Sequence, residues 1–481
     1  MRLLLSVAVA AGFSLAAAGP IRLDPKNPHY FLFHGKTVAL ITSGEHYGAV
    51  MNADFDYRRY LATLESEGMN YTRLFGGSYR EVPAQSFGIK RNTLAPAPGR
   101  YIAPWALRGD RYDLDRWNPE YIQRFRDFLA DAQRRAIVVE VTLFSSYYQE
   151  MHWKISPFNP ANNVNGTTAI DWKRLHTLDN GNILPYQERY VRQLVRQANP
   201  FDNVIFEIQN EPWSDRPVLA NVVNPYLTEP SRDRYPNSVD LADPASIAWQ
   251  ARVAEWIASE EGRLPNRHLI AQNYCNFLFP VRELVPGANI VNFHYVYPQA
   301  VALNYGLGIA ISYDESGFLG NDDASYRRQA WNFMLAGGSV FDSLDYSFSA
   351  GHEDGTDAAP NGPGGGSPAL RRQLRILSDF LGKLPLETIV PDTRVVKHAA
   401  GATPHALSSP GGDYGIYFDG GGLAEVELDL PPGAYSGEWV NVETGNTTRV
   451  ANFASTGNAA STLHPPAYQN GIALRLTRTK P

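Results

Sequence analysis

Between positions 206 and 213 the sequence reads FEIQNEPW, and this stretch ends an apolar run that begins at Val204. A strand that stops at an amide, a carboxylate and a proline presents Asn210 and Glu211 at its C-terminal end, because Pro212 cannot continue the strand ladder. In barrels built from parallel strands and helices, the functional side chains lie at that end of the strands. Glu211 is therefore the first candidate for a functional residue.

A second strand-like run, GIAISYDESG at positions 308 to 317, ends in the same way with Glu315 followed closely by Gly317. Two glutamates at two strand ends suggest a carboxylate pair. Cleavage of a glycosidic bond needs such a pair, because one carboxyl group protonates the leaving oxygen and the other attacks the sugar carbon or activates water. A glutamate at a strand end can also cap a helix or pair with an arginine.

Strand-like runs alternate with helical patterns along most of the chain, which is typical of parallel α/β units. We predict strands over 37–42, 69–75, 137–144, 204–210, 268–272, 290–295, 308–315 and 339–346. Helical spacing of apolar residues predicts helices over 56–67, 119–135 and 185–197, among others. Eight such strands predict a (β/α)8 TIM barrel.

The end of the chain has a different pattern. From about position 391, short alternating runs at 414–418, 424–428, 435–442 and 472–476 are separated by Gly, Pro and Asn. This pattern predicts a small antiparallel β-sandwich. We therefore divide the chain into a leader over 1–18, a catalytic barrel over 19–388 and an accessory sandwich over 389–481.

The two glutamates stand where a known group of enzymes has them. An Asn-Glu-Pro at the end of the fourth strand and a Glu at the end of the seventh resemble the clan A glycoside hydrolases, in particular their family 5-like barrels. The resemblance implies that Glu211 is the acid/base, that Glu315 is the nucleophile and that Asn210 binds the sugar 2-hydroxyl. It also implies a retaining mechanism and no cofactor.

Further residues of the site follow from the same resemblance. The clan places an Arg beneath the nucleophile, and Arg73 stands near the end of the second strand, where a structural salt bridge would also require it. His294 ends the sixth strand, like the clan's His and Tyr beside the scissile bond. Here tyrosines follow one and three residues after the His, so either Tyr295 or Tyr297 faces Glu315.

Other candidates follow from position alone. Glu45 and His46, after the first strand, either grip a terminal sugar or anchor their own loop. Trp105 lies in a long loop over 76–118, which we expect to form one wall of the cleft. Burial beside Trp213 would favour a protonated Glu211.

Strand eight and the loop after it differ from the usual pattern. Many clan members end this strand with a Trp, whereas this chain has Asp342, Asp345 and Tyr346. The following loop, 347–367, is rich in glycine and predicts a mobile lid. Its acidic residues at 353 and 354 are expected to be solvated, and we predict no metal site.

The sandwich carries a weaker resemblance. Its run WVNVETG at positions 439–445 is similar to the accessory sandwich of uncharacterised barrel hydrolases that has been named a collagen-binding domain. That name says little about binding. We expect the sandwich to dock against the barrel.

Composition and termini limit the remaining possibilities. A net charge of −6 and a pI near 6.0 provide no basic surface for nucleic acid. The first eighteen residues have a positive start, a short apolar core and a small-residue cleavage site, which predicts a signal peptide and an exported protein, secreted or periplasmic. No later apolar run is long enough to span a membrane. Cys275 is the single cysteine and is predicted to serve packing.

Together these patterns predict a retaining glycosidase that acts on β-D- or α-L-glycosidic bonds of an oligosaccharide or polysaccharide. A transglycosylase with the same two glutamates is the alternative within enzymes, and an inactive sugar-binding barrel is the alternative outside them. The sugar, exo or endo action and the oligomeric state do not follow from these residues.

Overall fold

The computed structural model describes residues 19–221, 238–358 and 362–479, so the predicted signal peptide lies outside the described residues. Eight parallel strands form a barrel. They are β1 (Leu40–Gly44), β2 (Tyr71–Phe75), β3 (Val138–Ser145), β4 (Val204–Asn210), β5 (Leu269–Asn276), β6 (Ile290–His294), β7 (Ala310–Ser316) and β8 (Val340–Leu344). Their hydrogen-bonded order is β1-β8-β7-β6-β5-β4-β3-β2.

The seam between β1 and β2 is closed by a side chain. Asn70, directly before β2, accepts a hydrogen bond from the Ile41 N–H at 2.8 Å and donates one to the Ala39 carbonyl at 2.8 Å. An asparagine side chain carries the same donor and acceptor groups as the backbone, and it therefore replaces the missing ladder between these strands. The barrel is nearly closed.

Seven helices cover the barrel. They are α1 (Tyr57–Ser66), α2 (Pro119–Arg134), α3 (Leu184–Ala198), α4 (Pro244–Glu261), α5 (Gln299–Asn304), α6 (Asp323–Leu335) and α7 (Pro368–Leu381), with a further short helix at Glu150–Lys154. Asp56, Asn118 and Asp243 cap the N-termini of α1, α2 and α4 by accepting backbone N–H bonds. Within the described parts of the chain, every helix is too short or too polar to cross a lipid bilayer.

Most predicted strands agree with the observed bounds, but the prediction over 37–42 was wrong in its first half. Lys36–Val38 pairs antiparallel with Phe31–Phe33, and the barrel strand begins only at Leu40. His34 and Gly35, both with positive φ, make the turn of this hairpin. The fifth strand also runs further than predicted, to Asn276.

The N-terminal hairpin closes the bottom of the barrel. Ile21, Phe31 and Phe33 are buried in one hydrophobic cluster with the first residues of the barrel strands, including Tyr71 and Val138. Burial of a large apolar side chain contributes roughly 1.5–3 kcal/mol. The barrel is therefore accessible only from the C-terminal ends of its strands, where β4 and β7 carry Glu211 and Glu315.

A β-sandwich follows the barrel, as predicted. Its larger sheet has the strand order Val390–Pro391, Ala402–Ser408, Asp413–Gly420, Ile472–Thr479, Gly433–Asn441 and Thr447–Ser455. The smaller sheet contains Val396–His398, Val426–Leu428 and Ser461–Leu463. Paired strands are antiparallel in both sheets.

The sandwich packs on the outside of α6. Arg328 donates two hydrogen bonds to Asp419, at 2.8 and 3.0 Å, and Asn332 donates a third at 2.9 Å. Beside them the rings of Trp331 and Tyr417 lie 5.4 Å apart. The contact is therefore both polar and aromatic, and it lies on a barrel helix away from the strand ends.

Candidate active site

A cavity of about 620 Å³ opens at the C-terminal ends of the barrel strands, within the usual size of small-molecule sites. Its walls come from the loops after β1 to β7. Both Glu211 and Glu315 line it, together with Asn210, His46, Tyr295 and Tyr297. The fold thus brings the two glutamates into one cavity, although 103 residues separate them in the chain.

The backbone around this cavity is strained. Eleven non-glycine residues in the described ranges have positive φ, and seven of them line the cavity. These seven are Tyr47, Phe87, Tyr148, Glu211, Phe277, Tyr295 and Phe318. Each such conformation costs on the order of 1–3 kcal/mol and persists only where the surroundings enforce it, which is typical of functional sites. The fold uses this strain to turn aromatic rings and Glu211 inward at the strand ends.

Glu315 is held by three groups. The Tyr47 hydroxyl donates to its Oε2 at 2.9 Å, and the Tyr295 hydroxyl donates to its Oε1 at 2.8 Å. A guanidinium nitrogen of Arg73 lies 3.3 Å from Oε2. Of the two candidate tyrosines, Tyr295 therefore contacts this carboxylate, while the ring of Tyr297 is stacked with Phe277.

Arg73 organises the floor of the site. It is fully buried and donates to Glu207 at 2.6 Å and to the Asn210 side-chain oxygen at 2.9 Å. It also lies 3.3 Å from the carboxylate of Asp314. The Asn210 amide in turn donates to the Tyr148 hydroxyl at 2.7 Å, so the orientation of Asn210 is fixed from both sides.

Glu211 is the first residue after β4 and has a φ of 46°. Its N–H donates to the Asn273 side chain at 2.8 Å, and its carbonyl accepts from Ser146 at 2.6 Å. The following proline also restricts this backbone. The carboxyl group therefore turns away from the strand direction and enters the cavity. There its Oε1 lies 3.0 Å from Nδ1 of His294.

The two glutamates and His294 form a compact group. One oxygen of each carboxylate and a ring nitrogen of His294 all lie within 4.8 Å of one another. Nδ1 of His294 is 3.5 Å from Oε1 of Glu315, and Nε2 is 3.5 Å from Asp314. Trp213 packs edge-on against the His294 ring at 5.6 Å and thereby fixes it.

The charges around Glu315 and His294 favour their ionised forms. Burial alone would raise the pKa of Glu315, but the positive charges of His294 and Arg73 outweigh burial and leave that pKa below its ordinary value. Burial likewise lowers the pKa of His294, but the charges of Glu315 and Asp314 raise it well above 6.5. At neutral pH the site therefore holds a carboxylate beside an imidazolium.

A layer of buried acids lies inside the barrel beneath the site. Asn292 donates to Glu140 at 2.6 Å, to Asp314 at 3.1 Å and to Glu207 at 3.2 Å. Burial raises the pKa of Glu140 to about 8 and that of Asp314 to about 6, whereas Arg73 and the hydrogen bonds from Thr142 and Arg73 outweigh burial and lower the pKa of Glu207. Glu140 is therefore protonated at neutral pH.

Two triads in the described residues bring donor atoms close enough to bind an ion: Glu207, His294 and Asp314, and Glu211, His294 and Glu315. Arg73 lies within 3.3 Å of a carboxylate in each triad. A guanidinium at that distance repels a cation and takes its place as the neutralising charge. The donor set fits a carboxylate pair balanced by Arg73 better than a metal centre.

The cavity lining lacks five of the predicted residues: Arg73 and His294, which contact the glutamates from below, and Glu45, Trp105 and Trp213. Glu45 is buried and accepts hydrogen bonds from the Gly48 and Ala49 N–H groups and from Thr93, so its side chain holds its own loop. Trp105 packs among Trp117, Phe158 and Tyr190 in the core, behind the cleft. Trp213 reaches the site only through His294.

The loop after β8 is packed on the barrel in its described part. The ring of Tyr346 fills the space that side chains at Gly362 and Gly364 would occupy. Asp345 pairs with the buried Arg371 at 2.6 Å, and Asp342 is buried inside the barrel. Cys275 is buried and unpaired, in agreement with a packing role.

Several residues of the site were not singled out from the sequence. Tyr47 is the third residue after β1 and could have been found from its place two residues after Glu45. Asp314 precedes Glu315, and a register shift in β7 at Asp314 lets both side chains reach Arg73 and His294, which regular strand alternation would not predict. Tyr148 and Glu81 lie in long loops whose course no local pattern predicts.

Neither a protein-family model nor a curated protein matches the sequence. Solved structures do match the fold. A protein from Bacteroides vulgatus, provisionally described as a glycoside hydrolase, is 13% identical, with a TM-score of 0.66 over 96% of this chain and 82% of that chain. A glycoside hydrolase family 5 structure from the same organism is 12% identical, with a TM-score of 0.61 over 96% of this chain and 93% of that chain.

A third structure, of a glycoside hydrolase, is 12% identical, with a TM-score of 0.58 over 96% of this chain and 97% of that chain. These similarities extend over both the barrel and the sandwich. The chain therefore has the fold of these glycoside hydrolases, a (β/α)8 barrel followed by a β-sandwich. At this level of identity the similarity defines the fold, and the activity has to be argued from the site.

Proposed function

We propose that this protein is a retaining glycoside hydrolase that cleaves β-D- or α-L-glycosidic bonds of an oligosaccharide or polysaccharide. The observation that carries the proposal is the pair of carboxylates, Glu211 and Glu315, whose oxygens approach within 4.8 Å in one cavity at the barrel mouth. The anomeric preference rests on the resemblance of the Asn-Glu-Pro and Glu motifs to clan A enzymes.

The separation supports retention over inversion. Retaining enzymes place the two carboxyl groups about 5–5.5 Å apart, whereas inverting enzymes leave roughly 6.5–9.5 Å for a water molecule. One oxygen of Glu211 and one of Glu315 lie within 4.8 Å of each other, and this approach favours the retaining spacing. The pair therefore suits direct attack by one carboxylate on the sugar carbon.

In the first step, Glu315 attacks the anomeric carbon and forms a glycosyl ester. Glu211 transfers its proton to the glycosidic oxygen as the bond from that oxygen to the anomeric carbon breaks. Arg73 and His294 keep Glu315 ionised before the attack, and Tyr47 and Tyr295 aim its two oxygens. The aglycone leaves with the proton of Glu211.

In the second step, Glu211 acts as a base. It removes a proton from water, whose oxygen attacks the anomeric carbon and releases Glu315 as a carboxylate. His294 stands 3.0 Å from Glu211 and stabilises the negative charge that Glu211 carries between the steps. Two inversions at the same carbon retain its configuration.

The same chemistry with a sugar hydroxyl in place of water would make the protein a transglycosylase, which uses the same residues. The proposal of export, to the periplasm or the medium, rests on the leader sequence. The sandwich is proposed to stabilise the barrel through α6, and its similarity to a domain named collagen-binding stays a prediction.

The test is hydrolysis of a panel of aryl β-D- and α-L-glycosides and of plant and microbial polysaccharides. Wild type is compared with Glu211→Ala and Glu315→Ala, and with Glu443→Ala as a control on the exposed surface of the sandwich. We expect both site variants to lose at least about 10³-fold in kcat, since each removes a group acting in the transition state. Azide should rescue Glu211→Ala and yield a glycosyl azide of retained configuration. Full activity in either site variant would contradict the assignment.

A further inference from the structure

A second carboxyl group, Glu81, lines the same cavity and is not used by the mechanism above. It lies in the loop after β2 and is 2% exposed. Its N–H donates to the Leu94 carbonyl at 2.8 Å, and one carboxyl oxygen accepts from the Asn92 amide at 2.9 Å. The loop thus holds the carboxyl group rigidly at the cavity wall.

The side chain of His46 lies next to that of Glu81 in the cavity lining. Its Nε2 lies 3.7 Å from Oε1 of Glu81, which is too far for a direct hydrogen bond. Its Nδ1 is buried and has no hydrogen-bond partner among the described residues. Buried polar groups in proteins are almost always hydrogen-bonded, and an unsatisfied one calls for an explanation. On the other side of the ring, a ligand hydroxyl between the two side chains would give Nε2 of His46 and Oε1 of Glu81 a shared partner.

Both groups are suited to a neutral, hydroxyl-bearing ligand. Burial raises the pKa of Glu81 to about 8 and lowers the pKa of His46 to about 4. The carboxyl group and the imidazole are therefore both uncharged at neutral pH, and each offers one donor and one acceptor. A sugar hydroxyl donates and accepts at once and matches both.

The loop that carries Glu81 is tied to the loop after β8. Arg91, in the same loop as Glu81, forms two hydrogen bonds of 2.9 Å with Asp357 in the loop after β8. Close by, Ile89 and Tyr346 pack against Gly362. The two long loops are thereby joined, which holds the loop that carries Glu81 in place.

The loop after β7 adds an apolar surface to the cavity. Phe318 and Leu319, in the loop after β7, line the cavity and are 42% and 49% exposed. Side chains of this kind offer few hydrogen bonds to sugar hydroxyls. The hydroxyl groups of a bound sugar therefore find their partners at Glu81 and His46 and not at Phe318 and Leu319.

We propose that Glu81 and His46 form a recognition subsite for the hydroxyl groups of an uncharged sugar bound beside the carboxylate pair. This inference rests on the proposed glycosidase function. Glu81 and His46 are specificity-determining residues, and the chemistry remains with Glu211 and Glu315.

The test uses the para-nitrophenyl glycoside that wild type hydrolyses best, and its monodeoxy analogues at each position other than the 2-hydroxyl. Glu81→Leu should lower kcat/KM for the parent glycoside by roughly 10- to 100-fold, because it leaves a hydroxyl unpaired. Glu81→Gln, which keeps one donor and one acceptor, should recover most of that loss. Glu443→Leu on the sandwich surface is the matched control.

One deoxy analogue should lose activity with wild type and lose nothing further with Glu81→Leu, since the interaction is already absent. His46→Phe, which keeps the ring packing, should show the same pattern if Glu81→Leu does not fold.

Two outcomes would overturn the inference in different ways. A wild type inactive on every glycoside would remove the proposed function and this inference with it. An active wild type in which Glu81→Leu and His46→Phe lose the same factor on the parent and on every deoxy analogue would overturn the subsite alone and leave the carboxylate pair intact.

Discussion

Nδ1 of His294 lies 3.0 Å from Oε1 of Glu211 and so joins the end of β6 to the residue after β4. The same nitrogen is 3.5 Å from Glu315. His294 therefore stands between the proposed acid and the proposed nucleophile, and its charge acts on both. We therefore expect the charge of His294 to determine how the activity depends on pH.

His294→Gln keeps a hydrogen-bond donor but removes the charge. Because the imidazolium lowers the pKa of Glu315, its loss should raise that pKa. A smaller fraction of Glu315 is then ionised at any given acidic pH. We expect the acidic limb of the kcat/KM profile to move to higher pH, measured with an aryl glycoside across the acidic range.

The control for this change is His405→Gln, which removes a histidine from the sandwich, far from the cavity. It should leave the profile where it is in wild type. An unchanged acidic limb in His294→Gln would show that His294 does not act on Glu315 electrostatically.

The two tyrosines after β6 give a matched pair of variants. Tyr295→Phe removes a hydrogen bond of 2.8 Å to the Glu315 carboxylate. Hydrogen bonds to charged groups contribute about 1.5–3 kcal/mol, so kcat should fall by roughly 10- to 100-fold. Tyr297→Phe, in the same cavity but without that bond, should change kcat by less than about 3-fold. A larger loss of kcat in Tyr297→Phe than in Tyr295→Phe, measured by steady-state kinetics, would show that Tyr297 contacts the nucleophile.

Glu140 allows a test of the buried acid layer through stability. Its pKa is raised to about 8 in the folded protein, above an unfolded value near 4.3. Between these values only the folded state holds the proton, so the folded state loses stability as pH rises. Glu140→Gln removes this dependence. Its stability relative to wild type should therefore improve by at most about 1.4 kcal/mol per pH unit in that window.

Denaturant unfolding of wild type and Glu140→Gln at several values between pH 5 and about 8 measures this effect. Wild type and Glu140→Gln should expose the same surface area on unfolding, so equal m-values are the internal check. A stability difference that stays constant with pH would mean that Glu140 is ionised in the folded protein.

Ala136 is a positive-φ residue outside the cavity, at 55°, directly after α2. The Ala136 N–H donates to the Gln133 carbonyl and the Ile137 N–H to the Ala132 carbonyl, which is the Schellman arrangement that favours glycine. Ala136→Gly should therefore raise the free energy of unfolding by about 0.5–1 kcal/mol and leave kcat/KM unchanged. Thermal unfolding measures this change in stability, and a melting temperature below that of wild type would contradict the prediction.

The sequence predicts the barrel well because its strands are buried on both faces and read as apolar runs between turn residues. It predicts the start of β1 poorly, since Lys36–Val38 pairs with Phe31–Phe33 and not with a barrel strand. Which sheet a short strand joins is decided by tertiary contacts, and the local pattern is the same in both cases.

The residues of the candidate site also divide into those that the sequence predicts and those that it does not. Glu211 and Glu315 stand at strand ends, where the order of strands predicts their meeting. Glu81 and Tyr148 reach the cavity from loops whose course depends on contacts such as that between Arg91 and Asp357. Glu45 shows the converse, because a polar residue beside a predicted strand end turned inward to bind backbone N–H groups.

The most direct test of the carboxylate pair is the configuration of the first product. Proton NMR of an aryl glycoside in the first minutes of hydrolysis shows which anomer is released before mutarotation mixes the two. Two carboxylates whose oxygens lie within 4.8 Å predict release of the same anomer as the substrate. Release of the opposite anomer would show that water attacks directly, and would contradict Glu315 as the nucleophile.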